Sequence, residues 1–224
     1  MSTAVAAAPS FDLANIDALV NQIEEASEGL SSNRLNYIKF SKGDWLIGKE
    51  QETFPENSFE AIPDLPNLEN GYVCWKDGQL TDELWFGVGE DLPSKDSLPD
   101  HGPYTQQNDG WSQNVRFQMN ILPTMGVESP IYAQFTASSG GGQRAVGDMM
   151  KAWVREMKTG KYNTKVPVFK FSSDSYKHST YGKVYVPLMT LDRFIDPDEQ
   201  PTVQKPTKDK SSTGSSASKD IPLE

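Results

Sequence analysis

The chain has 224 residues, 36% of them hydrophobic, and a net charge of −10, which is enough for one sizeable core and short of two. No apolar run approaches the ~20 residues that cross a bilayer, and residues 1–10 lack a charged start followed by a long apolar stretch. A soluble protein of the cytoplasm is therefore expected, with no membrane partner. The single cysteine, Cys74, excludes an internal disulfide, and with only His101 and His178 there is no Cys/His set at zinc spacing, so neither a structural metal nor a cofactor is expected.

Residues 1–33 form an N-terminal extension, in which Phe11, Ile16, Leu19, Val20 and Ile23 recur at near-helical spacing before a stop at Gly29; this predicts one short amphipathic helix. From Tyr37 the period changes to two. Tyr37-Ile38-Lys39-Phe40, the tight Ser41-Lys42-Gly43-Asp44 turn and Trp45-Leu46-Ile47 predict a hairpin, and Gly71 to Trp75 with Leu84 to Gly87 predict a second. Cys74 and Trp75 fall in an apolar run and are expected in the core. Further strands are predicted over 115–122, 131–136, 166–171 and 184–191, about eight in all. Residues 89–110, rich in Pro, Asp and Gln without periodicity, predict an exposed loop.

One segment breaks the pattern. Ala145, Val146, Met149, Met150, Trp153, Val154 and Met157 define a single apolar stripe, so a helix is predicted there, with Ser138-Ser139 as its cap and Gly160 as its stop. After Pro197 the composition turns to Pro, Lys, Ser and Thr, which predicts a disordered tail over 197–224. Residues 34–196 are thus expected to form one mainly β (α+β) domain with one amphipathic helix between strands.

The overall acidity argues against a polyanion ligand, but its distribution does not. Residues 1–100 carry 19 acidic against 6 basic side chains, whereas residues 144–193 carry 10 basic against 4 acidic, so a local positive field is expected on an acidic molecule. Basic and aromatic residues interleave twice, first as Tyr37, Lys39, Phe40, Lys42 and Trp45, then as Lys170, Tyr176, Lys177, Tyr181, Lys183 and Tyr185. Cations following a backbone while rings stack on bases is how single strands are held. In the first hairpin, odd positions (Tyr37, Lys39, Trp45) against even ones (Ile38, Phe40) give an apolar face and a face displaying Tyr37 and Lys39. Asp174 and His178 supply the residue types of a metal-dependent nuclease, and the acidic first half offers a mimic of nucleic acid that would bind a host protein; these are the two alternatives.

The ordered set Tyr37-Ile38-Lys39-Phe40-Ser41-Lys42-Gly43-Asp44-Trp45, Gly71-Tyr72-Val73-Cys74-Trp75, Ser138-Ser139-Gly140-Gly141, Asp174-Ser175-Tyr176-Lys177-His178 and Tyr181-Gly182-Lys183 resembles a family of phage and prophage proteins. The layout is also similar to phage and bacterial single-stranded DNA-binding proteins of the OB fold, and Asp220-Ile221-Pro222-Leu223 resembles their partner-binding tip, here followed by Glu224. The resemblance implies an OB-like β-barrel that binds single-stranded DNA independently of sequence in phage replication or recombination, without catalysis. It also implies a tail (Asp220, Ile221, Pro222, Leu223) that recruits replication or recombination proteins. On that reading Tyr37, Lys39, Trp45, Tyr176 and Tyr181 are the groove residues, and Lys42, Arg116, Lys170, Lys177 and Lys183 contact phosphates.

Overall fold

The Ser41-Lys42-Gly43-Asp44 turn fixes the facing of the two strands it joins. In the computed structural model, which describes residues 35–123, 130–180 and 182–201, Lys42 (φ 54°) and Gly43 (φ 99°) are both left-handed. That is the two-residue loop whose twist matches its flanking strands, here β1 (Asn36–Ser41) and β2 (Asp44–Ile47). Its register pairs Phe40 with Trp45 and Ile38 with Ile47, so parity switches across the turn. Even positions of β1 and odd positions of β2 share the inner face. Trp45, expected on the binding face, is therefore a core residue at 0% exposure; Tyr37 and Lys39 do face outward, as expected.

Ten strands form one sheet. After β2 come β3 (Glu52–Thr53), β4 (Phe59–Pro63), β5 (Glu69–Lys76), β6 (Gln79–Gly87), β7 (Gly110–Ile121) and β8 (Ile131–Ala137). The helix α1 (Gly140–Met157) precedes β9 (Val166–His178) and β10 (Gly182–Ile195). The path runs β10-β9-β4-β7-β8-β1-β2-β3, with β5 and β6 branching from β7. The long strand β7 makes this possible: residues 110–116 pair with β5 and residues 119–121 with β4, while β8 lies along residues 115–121. β1 runs parallel to β8.

Aromatic packing curls the sheet. The Trp45 ring lies 5.0 to 5.6 Å from those of Phe40, Phe59, Phe135 and Phe171, and its Nε1–H donates to the Ser172 carbonyl of β9 at 2.8 Å. That indole bridges β2 to β9, where no backbone ladder joins them, so the hydrogen-bonded sheet stays open. Mainly β with one α-helix is what the described residues adopt; the closed OB-like barrel is a finer description than this ladder gives.

The helix forms where its stripe predicted. The Ser139 Oγ accepts from the Gly142 N–H at 3.1 Å, capping it, and Val146 and Met149 are buried with Met189 in the main core. Gly160 (φ 73°) turns the chain away after it. Residues 89–110 are exposed for much of their length yet tied down throughout. Tyr72 Oη and Trp111 Nε1 donate to the Pro93 and Pro99 carbonyls at 3.0 and 2.7 Å. Lys76 Nζ reaches the His101 carbonyl at 2.9 Å, and Leu92 and Leu98 pack on Tyr72, Cys74 and Trp111. Cys74 is the buried filler expected. Trp75 is not core: next to buried Cys74 in an unbroken β5 register with β7, it stands on the opposite face near the end of the strand and is 41% exposed. The N-terminal helix expected within residues 1–33, and the tail tip, lie outside the described residues.

Candidate nucleic-acid interface

β9 and β10 outrun the rest of the sheet. β4 pairs with β9 only at Phe169 to Phe171, while β9 and β10 continue together to the His178 and Gly182 pair, so their distal halves form a two-stranded ribbon. Polar side chains on both faces hide such a strand from period-two reading, and Ser173-Asp174-Ser175 resembles a turn for that reason. Alternation continues the face of Phe171 and Met189 through Ser173 and Pro187, Ser175 and Tyr185, and Lys177 and Lys183. Asp174 and Tyr176 stand on the opposite face with Val186 and Val184.

Lys177 and Lys183 are thus directly opposite one another. A like-charged cross-strand pair destabilises the ladder it belongs to, and among the described residues no ion pair offsets either lysine. Lys183 Nζ lies 4.7 Å from the ring centroid of Tyr185, an exposed aromatic. That ring also packs on the β1–β2 turn, since a Cβ at Gly43 would stand 2.5 Å from Tyr185 Cδ1. Asn57 secures the same junction: its Oδ1 accepts from the Trp45 N–H at 2.7 Å, and its Nδ2 donates to the Gly43 carbonyl at 2.6 Å and the Ser173 Oγ at 3.3 Å. The turn carrying exposed Lys42 is therefore held against the cationic face of the ribbon.

Of the residues expected to bind DNA, the fold gathers Lys42, Lys177 and Lys183 at this junction, with Tyr176 on the reverse face of the same ribbon. Tyr185 joins them and was left out of the expected set; Lys183 and Tyr185, two apart in a strand, carry the signal that would have found it. Tyr37 and Lys39 stand on the outer face of β1, Tyr37 in register with Gln134. Lys170 sits lower on β9 between Glu60 and Thr190. Arg116 is engaged: its Nε is 2.6 Å from Glu69 Oε2, Nη1 3.9 Å from Glu83, and its guanidinium lies 4.0 Å from the Trp85 ring centroid. Trp45 is inaccessible to any ligand. Tyr181 lies outside the described residues.

Asp174 and His178, the expected acid and imidazole of a nuclease, are four residues apart on an extended strand, roughly 13 Å, with Tyr176 between them. The Asp174 carboxylate accepts from the Ser175 N–H at 2.7 Å, and His178 Nδ1 accepts from the Thr180 N–H at 3.1 Å. Among the described residues no three His, Cys, Asp or Glu side chains come together in a way that would hold a metal ion, and no helix is long and apolar enough to cross a membrane. Comparison with protein-family models, curated proteins and solved structures finds no match.

Proposed function

We propose that the protein binds single-stranded DNA without regard to sequence, the β9–β10 ribbon and the β1–β2 turn together forming the contact surface. The facing Lys177 and Lys183, neither of them in an ion pair among the described residues, carry this reading: a phosphate between the two ammonium groups relieves their mutual repulsion. Tyr185 and Tyr176 supply ring faces for unstacked bases, which every base can meet and duplex DNA withholds. On this reading the curled sheet serves as an OB-like groove, the setting is phage replication or recombination, and the tail tip at Asp220, Ile221, Pro222 and Leu223 recruits partners.

The test is an anisotropy titration of labelled oligothymidine and of duplex across a range of salt. For single strands, each neutralised phosphate adds about 0.7 to the slope of log affinity against log salt. Replacing Lys177 and Lys183 with alanine should lower the slope by about 0.7, the one phosphate they share, and weaken binding at low salt. An unchanged slope in that double variant, or equal affinity for duplex, overturns the proposal.

A further inference from the structure

Beside the 106–112 segment, at the end of the β5–β6 ribbon, lies a cavity of about 620 Å³ lined by Trp75, Lys95, Gln106, Gln107, Asn108 and Trp111 among others. Its most exposed aromatic is Trp75 at 41%, against 8% for Trp111, whose indole N–H is spent on Pro99. The exposed side chains of Gln106, Gln107 and Asn108 each set a donor beside an acceptor, the pattern that also lies along the edge of a base. Asp109, also in the lining, accepts from three backbone N–H groups, those of Thr105 and Gln106 at 2.9 Å and that of Asp77 at 3.1 Å. Its carboxylate is therefore occupied by the loop and has little left for the hydroxyls of a sugar. Lys95 is the cation of the lining, suited to one phosphate.

We infer that this cavity takes one base of the bound strand, stacked on the Trp75 indole with the carboxamides at its edge. The inference rests on the single-strand reading and extends it to a second station. Continuity with the ribbon supports it. Ser138 lines the cavity, and three residues on, a Cβ at Gly141 would stand 3.4 Å from Val186 of β10, so the cavity and the Tyr176 face of the ribbon flank the same end of α1. A base in an aromatic and carboxamide cavity also brings a mild base preference that the lysine ribbon cannot provide.

The experiment uses the full-length chain, labelled oligothymidine and free thymidine monophosphate, read by anisotropy and intrinsic tryptophan emission. Trp75→Ala should weaken oligothymidine binding roughly tenfold, the loss of one stacked base, remove most of the emission quenching and leave the salt slope unchanged. Trp75→Phe should recover most of the affinity. Wild-type affinity in Trp75→Ala, alongside weakened binding in the Lys177/Lys183 double alanine variant, overturns the cavity while the strand reading stands. Failure of the wild-type chain to bind oligothymidine at any salt overturns both. Quenching by thymidine monophosphate as tight as by the oligonucleotide overturns the strand as the source of the base in favour of a free nucleotide.

Discussion

Replacing Trp45 with phenylalanine separates packing from binding. The indole is fully buried among four rings, and its N–H satisfies the Ser172 carbonyl. Phenylalanine deletes that donor, which costs about 1–3 kcal/mol for a buried acceptor left without it, and thins the ring contacts, each worth about 0.5–1.5 kcal/mol. A total of about 2–4 kcal/mol is expected. With a urea dependence of about 2 kcal/mol per molar, the unfolding midpoint falls by roughly 1–2 M. A base-stacking tryptophan would behave in the opposite way, losing roughly 5- to 150-fold in affinity for oligothymidine with little loss of stability. Urea unfolding followed by circular dichroism, beside a titration under native conditions, reads both quantities on one sample. A wild-type midpoint with collapsed affinity would refute the parity argument that places Trp45 inside.

Arg116→Ala should leave the salt slope for oligothymidine unaltered, because Glu69 already holds that guanidinium, while lowering stability by about 1 kcal/mol through the lost pair and the uncovered Trp85 face; thermal unfolding and the same titration check both. The N–H groups of Gln106, Thr105 and Asp77, with Lys76 nearby, hold the Asp109 carboxyl below its usual 3.8. A carboxylate whose folded pKa is depressed stabilises the loop above its unfolded value and loses that contribution as pH falls through the folded one. The near-ultraviolet signal of Trp111, beside this loop, should therefore be flat from neutral pH down to about 4.5 and change only below about 4. In Asp109→Asn the acid step should be absent, and loosening of the wild-type loop above pH 6 would contradict the assignment.

Where a side chain's environment is decided locally, the sequence was legible. The Lys42-Gly43 turn announced its hairpin, and the stripe from Ala145 to Met157 announced α1 together with its Ser139 cap. Facing was less legible, because period two gives alternation without saying where it changes sign. A two-residue turn reversed it at Trp45, and plain alternation past buried Cys74 put Trp75 on the outer side of β5, exchanging the expected places of the two tryptophans. The ribbon was hidden for another reason: strand signals come from a buried face, and residues 172–178 have little of one. Arg116 looked like a free cation until Glu69, 47 positions earlier, was brought beside it by β5. Length and proline content gave residues 89–110 as a loop, but not the donors in β5 and β7 that fix it.

The bridge from Trp45 to Ser172 also sets a timetable for making the protein. Its two ends are 127 positions apart, and β1 waits for β8 before its other edge is covered. At translation speeds of roughly 5–20 residues per second, the first hairpin spends roughly 6–25 s outside the ribosome with its tryptophan unhoused. Closure so late in the chain makes folding slow by topology, so nascent chains halted before residue 172 should be the ones that chaperones hold.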